Sequence, residues 1–110
     1  MQSPINKIAV VGTGVIGTGW IIRFLFNNKQ IKVYDPSDKQ KKFLLDEIKR
    51  TKQLLKKFYK KKINIDNQLK FCSSIKEAVS DADLIQENAP ENEKLKIRII
   101  TEISLHTKKK

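Results

Sequence analysis

A glycine-rich run at residues 10–20, VVGTGVIGTGW, constrains the fold of this chain more than any other feature. An apolar stretch at residues 8–11 precedes Gly12, Gly14 and Gly17, and an apolar helical pattern follows them. This order predicts a buried strand, a tight turn and the start of a helix. In such a unit the first glycine permits the turn, the second leaves room for a phosphate near the backbone, and the third lets the helix pack closely on the strand.

An acidic residue follows at the spacing that a ribose-binding carboxylate would need. Asp35 ends a second apolar strand pattern at residues 31–34 and lies 18 residues after Gly17, close to the separation of about 20 in dinucleotide-binding units. Its carboxylate could accept hydrogen bonds from ribose hydroxyls and would repel a 2′-phosphate. Because no arginine immediately follows Asp35, the pattern favours NAD over NADP.

These residues together predict a dinucleotide site at the first turn. The amides and the positive dipole end at the helix start would hold the phosphates. The predicted cofactor-binding residues are Gly12, Thr13, Gly14, Val15, Ile16, Gly17 and Asp35. The residues alone leave two alternatives open: a glycine turn that only packs a helix on a sheet, and an aspartate that only opens a turn before Pro36.

The rest of the chain alternates between strand and helix patterns. Strands are predicted at residues 7–11, 31–34, 69–72 and 84–87, and helices at 14–27, 38–60, 74–80 and 91–105, with a polar, turn-like segment at 63–68. Alternation of this kind predicts a parallel sheet with helices on both faces. Right-handed crossovers give the strand order 3-2-1-4, so the predicted fold class is α/β, a Rossmann-type doubly wound sheet that is partial, with four strands.

Two serines predict where helices begin. Ser37 is followed three residues later by Gln40, and Ser74 by Glu77. Serine with glutamine or glutamate at this spacing forms a capping box. At the end of the first helix, Asn27 and Asn28 are a plausible stop, because asparagine tolerates left-handed backbone geometry.

The net charge of +11 is concentrated in the second helix and the residues just after it. Residues 39–62 contain eleven Lys or Arg and two acids. The apolar residues of this helix fall on one broad face, which is predicted to be buried: Phe43, Leu44, Ile48, Leu54, Leu55, Phe58 and Tyr59. The opposite, lysine-rich face is interpreted as solvated. The alternative is a non-catalytic module that binds a nucleotide or RNA there, but no aromatic residues interleave with the lysines to stack bases, so no nucleic-acid partner is expected.

Cysteine content and hydropathy indicate the cellular compartment in which the chain is expected. The single cysteine, Cys72, cannot form an internal disulfide, which favours a reducing compartment. It is interpreted as a small core residue rather than a nucleophile. No stretch resembles a signal peptide or approaches the length of a membrane span. A cytoplasmic protein without a membrane partner is therefore expected.

Two motifs together resemble the NAD-binding domain of the 3-hydroxyacyl-CoA dehydrogenase superfamily. They are GTGVIGTGW at residues 12–20 and DADLIQENAPE at residues 81–91. The resemblance covers about residues 5–107. Within the superfamily, the threonine between the glycines, the Gly19 and Trp20 pair and the loop up to Glu91 are most similar to the L-carnitine dehydrogenases, and next to the L-gulonate dehydrogenases.

The resemblance implies further roles for residues of this chain. The stretch 12–17 would hold the pyrophosphate and Asp35 the ribose, while Glu91 and Lys96 would also contact NAD. From the residues alone, Glu91 could equally be an acid that complements a helix dipole. The superfamily's substrate serine, its catalytic histidine with a partner glutamate, and an asparagine are expected beyond Lys110. Residues 1–110 are thus expected to form a truncated NAD-binding domain without catalytic or metal-binding residues, in which His106 is a surface histidine.

The implied function is the NAD-binding half of an oxidoreductase that oxidises a 3-hydroxy group and transfers a hydride to NAD, with L-carnitine as the substrate. A 3-hydroxyacyl-CoA dehydrogenase or an L-gulonate 3-dehydrogenase is the alternative. A small hydroxy-acid substrate and a homodimer are expected only for the full-length enzyme.

Overall fold

The computed structural model describes residues 5–55, 65–88 and 93–107. Its four parallel strands are β1 (Lys7–Val11), β2 (Gln30–Tyr34), β3 (Leu69–Phe71) and β4 (Leu84–Glu87). The sheet has the order β3-β2-β1-β4. This confirms the predicted fold class and strand order, because each helical crossover returns the chain to the same sheet in the same direction.

The described helices flank this sheet. They are α1 (Gly14–Phe26), α2 (Asp38–Leu55), α3 (Ile65–Gln68), α4 (Ile75–Val79) and α5 (Glu93–His106). The predicted extension of the second helix to residue 60 and the predicted start of the last helix at residue 91 lie outside the described residues. Within the described residues, no helix combines the length and apolar character that crossing a bilayer requires.

The short helix α3 corrects one prediction, because a turn was expected at residues 63–68. The side-chain amide of Gln68 donates hydrogen bonds to the backbone oxygens of Leu25 at 3.0 Å and Lys29 at 3.2 Å. These contacts tie α3 to the end of α1. Because α3 has only four residues, about one turn, it is too short for its sequence to carry a helical periodicity.

The local geometry confirms the predicted helix starts after Ser37 and Ser74 and the predicted end of the first helix. The Ser37 hydroxyl accepts a bond from the Gln40 N–H at 3.3 Å, and the Ser74 hydroxyl accepts one from the Glu77 N–H at 3.1 Å. After α1, Asn28 adopts a left-handed conformation with φ of 61°. The two serine contacts satisfy backbone N–H groups that would otherwise lack partners at the helix starts.

Two apolar clusters cover the two faces of the sheet. The cluster between the sheet, α1 and α2 consists of Ile8, Val10, Ile21, Leu25, Ile31, Val33, Leu44, Ile48 and Leu69. The cluster on the other face, beneath α4, consists of Ala9, Val11, Cys72, Ile75, Ala78, Val79 and Ala82. Ile99 and Ile103 of α5 pack against the second cluster. Burial of alternate residues of β1 on opposite faces explains why this strand reads as a continuous apolar run.

The buried face of α2 is narrower than its sequence predicts. Leu44 and Ile48 are buried, whereas Phe43 is 38% and Leu54 60% exposed. An 18-residue helix is about 27 Å long, while strands of three to five residues span at most about 17 Å. The sheet is therefore too short to cover the last turns of α2. The side chains of Leu55, Phe58 and Tyr59 lie outside the described residues.

The lysines in the described part of α2 support the interpretation of a solvated face. Those with mainly exposed side chains are Lys39, Lys42, Lys49 and Lys52. The lysines from residue 56 to residue 62 lie outside the described residues.

Candidate functional site

A cleft of about 930 Å³ opens at the carboxyl ends of the strands. The turn between β1 and α1 forms one wall with Gly12, Thr13 and Gly14, and the segment after β2 forms another with Asp35 and Ser37. In doubly wound sheets, ligands bind at this end, where successive crossovers leave the first strand in opposite directions. Here β1 lies between β2 and β4, so the cleft occupies that position.

The glycine turn has a backbone that other residues rarely adopt. Gly12 has a φ of 84° and Gly14 a φ of 57°. The Gly12 N–H donates to the Tyr34 carbonyl at 2.8 Å, which holds the turn against the end of β2. A Cβ added at Gly14 would meet no described atom within 4 Å. The missing side chain at Gly14 thus leaves open space beside the backbone in the wall of the cleft.

The third glycine of the motif serves packing. A Cβ added at Gly17 would lie 2.8 Å from the Gly12 carbonyl oxygen and 3.1 Å from Nδ2 of Asn88. Atoms at these separations overlap, so only glycine allows α1 to begin this close to the turn. This is the role that the sequence predicts for the third glycine.

Asn88 was not among the predicted cofactor-binding residues, although the sequence places its loop, residues 88–91, at the crevice between the first and fourth strands. Its backbone N–H donates to the Val11 carbonyl at 2.9 Å, and its side-chain amide donates to the Gly12 carbonyl at 3.2 Å. It therefore fixes the end of β4 to the glycine turn and lines the cleft. The signal in the sequence was its position directly after the fourth strand, which the predicted strand order places next to the first.

The start of α1 is left without a side-chain cap. Thr13 occupies the N-cap position but makes no capping hydrogen bond to the described helix, and the first turn contains no acidic residue. Val15 and Ile16 have exposed side chains that do not line the cleft. A ligand at this helix start would therefore meet backbone N–H groups and the positive end of the helix dipole.

Asp35 is held firmly in the wall of the cleft. It is 8% exposed. Its Oδ2 accepts hydrogen bonds from the backbone N–H and the hydroxyl of Thr13, both at 2.9 Å. Its Oδ1 accepts one from the Ser37 N–H at 2.9 Å. The structure thus joins the predicted carboxylate directly to the predicted glycine turn.

Lys96 does not contribute to the contact between Asp35 and the glycine turn. The ammonium group of Lys96 pairs with Oε2 of Glu87 at 3.4 Å, and Lys96 does not line the cleft. Glu91 lies outside the described residues. His106 is partly exposed at the last residue of α5, as a surface histidine would be.

Helix α5 supplies a wall of the cleft through residues other than the predicted Lys96. The residues of this wall include Leu95, Ile97, Arg98, Ile99, Thr101 and Leu105. The four-residue apolar spacing of Leu95, Ile99 and Ile103 predicts the face of α5 that packs inward. It does not reveal which residues of α5 line the cleft, because this depends on how the helix is placed against the rest of the chain.

Cys72 is buried in the cluster beneath α4. Burial, followed by a hydrogen bond and a charge interaction with Glu77, raises the pKa of its thiol from the ordinary value near 9 to about 11. A nucleophilic cysteine needs a lowered pKa, because the thiolate is the reactive form. The geometry therefore agrees with the interpretation of Cys72 as a core residue.

We expect Cys72 of the folded chain to react at least about 100-fold more slowly with a thiol-specific reagent at about pH 8 than the unfolded chain does. Two units of raised pKa reduce the thiolate fraction about 100-fold, and burial restricts access further. The rate should keep rising with pH until the pH approaches the raised pKa. Stopped-flow reaction with a chromogenic disulfide, with and without concentrated urea, measures this ratio. Equal rates in the two conditions would contradict the burial of Cys72.

Comparison with known proteins finds similar sequences among dehydrogenases. The family described as "3-hydroxyacyl-CoA dehydrogenase, NAD binding domain" matches residues 7–110. Among curated proteins, an L-carnitine dehydrogenase of Mesorhizobium japonicum is 38% identical over 105 residues, and one of Oceanobacillus iheyensis is 42% identical over 98 residues. These alignments cover 96% and 89% of the chain.

A solved structure gives the same picture of the fold. The (S)-3-hydroxybutyryl-CoA dehydrogenase of Ralstonia eutropha superimposes with a TM-score of 0.78 at 21% identity, over 96% of this chain and 38% of that one. The chain also spans 29% and 32% of the two L-carnitine dehydrogenases. It therefore corresponds to about a third of the length of the proteins that it resembles.

Proposed function

The chain belongs to the 3-hydroxyacyl-CoA dehydrogenase family as an NAD-binding domain, and from this premise we propose how its residues hold the cofactor. The backbone amides of residues 12–17 bind the pyrophosphate, and Asp35 binds the adenosine ribose. The observation that carries this proposal is the bonding of Asp35 to the glycine turn, in the wall of one cleft.

Two features of the glycine turn support binding of the phosphates of a dinucleotide. The open space beside Gly14 suits a phosphate group, which a side chain would exclude. The uncapped start of α1 offers amides to the same group. The negative charge of Asp35 disfavours a 2′-phosphate, which supports NAD rather than NADP.

Two further contacts are proposed on the family resemblance alone. Glu91 and Lys96 would contact NAD near the end of β4. For Lys96 this requires the ammonium group, which is paired with Glu87, to share its hydrogen bonds with the cofactor.

The reaction of the whole protein is proposed from its relatives. When bound, NAD accepts a hydride from the carbon that carries the substrate hydroxyl group. We propose L-carnitine as the substrate, supported by relatives of that name at 38% and 42% identity. A 3-hydroxyacyl-CoA dehydrogenase or an L-gulonate 3-dehydrogenase is the alternative, and a substrate panel on a protein of the relatives' full length distinguishes them. A homodimer is proposed for that longer protein, and a cytoplasmic location is supported by the free cysteine.

Replacing Asp35 by alanine is expected to weaken NADH binding about 10- to 100-fold, because hydrogen bonds to a charged group are among the stronger ones. The preference for NADH over NADPH should fall as well, since the charge that repels the 2′-phosphate is removed. Isothermal titration of the 110-residue chain with each cofactor measures both effects.

Two variants make this titration decisive. Asp35→Asn removes the charge with little change in shape, and it serves where alanine lowers the folded fraction seen by circular dichroism. Asp38→Ala removes an equal charge three residues away, from a fully exposed side chain, and should bind NADH as the wild type does. Equal affinities of the wild type and both Asp35 variants would refute the assignment of Asp35 to the ribose.

A further inference from the structure

The side chain of Thr13 does not cap the helix that it precedes. Threonine at an N-cap ordinarily accepts a hydrogen bond from an N–H of the first helical turn, which stabilises the helix. Thr13 is buried at the N-cap of α1 and makes no such bond to the described helix. Its hydroxyl donates instead to Oδ2 of Asp35 at 2.9 Å. The hydroxyl thus supports the carboxylate rather than the helix.

The bonds to Asp35 leave acceptor capacity on one oxygen. A carboxylate has about four lone-pair sites, two on each oxygen. Oδ2 receives both the N–H and the hydroxyl of Thr13, while Oδ1 receives the Ser37 N–H among the described donors. Since Oδ2 already receives two donors, Oδ1 is the oxygen with room for a donor from a ligand in the cleft.

The two bonds from Thr13 also fix the rotation of the carboxylate. The backbone N–H groups of Thr13 and Ser37 each hold one carboxylate oxygen. The Thr13 hydroxyl adds a second donor to Oδ2 and narrows the rotation that these two bonds still allow. The bond from the Thr13 hydroxyl to the Asp35 carboxylate is charge-assisted, and both residues are buried, where such bonds are stronger than in water.

From this geometry we infer that Thr13 is the positioning residue for cofactor selection: its hydroxyl orients Asp35 so that Oδ1 meets the unphosphorylated ribose of NAD. The inference rests on the proposed function, because it requires that Asp35 bind the ribose. It assigns the Thr13 side chain an indirect role, through Asp35, whereas the family motif implies direct contact with the pyrophosphate.

Three single variants test the role of the Thr13 hydroxyl in NADH binding. Thr13→Val keeps the branched shape and the backbone N–H but removes the hydroxyl, so NADH should bind about tenfold more weakly. Thr13→Ser keeps the hydroxyl and should restore the affinity to within about twofold. Thr18→Val is the matched control, because Thr18 Oγ1 is buried on the same helix without a hydrogen-bond partner among the described residues. That variant should bind NADH as the wild type does.

A double-mutant cycle separates positioning from a general structural effect. In the Asp35→Asn background, Thr13→Val should weaken NADH binding by much less than tenfold, because the charged group that Thr13 positions is already absent. The ratio of NADH to NADPH affinity should fall in Thr13→Val and be recovered in Thr13→Ser. Thr13→Ala removes the hydroxyl with a smaller side chain and replaces valine in the cycle if valine lowers the folded fraction.

The outcomes distinguish the two proposals. If the wild type binds NADH, Asp35→Asn weakens binding and Thr13→Val does not, the positioning role is overturned while the ribose assignment stands. Equal losses from Thr13→Val in the two backgrounds, or tighter binding by Thr13→Val, also overturn the positioning role. If the wild type fails to bind NADH, the proposed function fails, and the positioning role fails with it.

Discussion

Alanine in place of Gly17 is expected to lower the free energy of unfolding by about 1–3 kcal/mol and to remove most NADH binding. The added Cβ would lie 2.8 Å from the Gly12 carbonyl oxygen and 3.1 Å from Nδ2 of Asn88. The Gly12 oxygen is part of the backbone and cannot rotate away. The start of α1 must therefore move away from the turn, and this displaces the amides that face the cleft.

A second glycine of the same helix provides the matched control. A Cβ added at Gly19 meets no described atom within 4 Å. Since glycine in a helix interior is about 0.5–1 kcal/mol less favourable than alanine, Gly19→Ala should raise stability slightly and leave NADH binding unchanged. Urea unfolding and NADH titration of both variants measure the contrast. If Gly17→Ala were as stable as Gly19→Ala, the close packing at the start of α1 would be refuted.

The part of the site that could be predicted from the sequence depends on local spacing. Gly12, Gly14 and Gly17 follow a strand at fixed intervals, and Asp35 ends the next strand. Because adjacent parallel strands end at the same edge of a sheet, this spacing alone brings the carboxylate to the glycine turn. The alternation of strands and helices, with right-handed crossovers, similarly predicts the whole strand order.

The contacts that could not be predicted depend on tertiary geometry. The sequence places Thr13 between two glycines but does not reveal whether its hydroxyl caps α1 or turns to Asp35. Asn88 follows a strand, yet its side-chain bond to the Gly12 carbonyl requires the ends of β4 and β1 to be adjacent. The angle at which α5 crosses the sheet decides which of its residues line the cleft. None of these relations has a periodic signature in the sequence.

Helix α2 shows how periodicity can overestimate a buried face. The spacing of apolar residues reveals the side of a helix on which they lie. It does not reveal how much of that side has something to pack against. On α2 the sheet and α1 cover Leu44 and Ile48, while Phe43 and Leu54 remain largely exposed. Leu44 and its neighbour Leu45 differ in the same way, because Leu44 is buried and Leu45 is largely exposed. Mutating each of them tests this difference.

Leu44→Ala is expected to lower the free energy of unfolding by about 2–4 kcal/mol, whereas Leu45→Ala should change it by less than about 0.5 kcal/mol. Leu44 is fully buried in the cluster beneath α1 and α2, and Leu45 is 42% exposed. Both changes remove the same atoms from one turn of one helix, so the difference in helix propensity cancels between them. Truncating Leu44 additionally leaves a cavity in the core, which partial relaxation does not fill. Urea unfolding followed by far-ultraviolet circular dichroism measures both values. Similar losses would mean that α2 packs on the sheet through a different face.

Neither leucine lines the cleft, so NADH affinity under folding conditions should be unchanged in both variants. This result would separate the stability of the core from binding at the site.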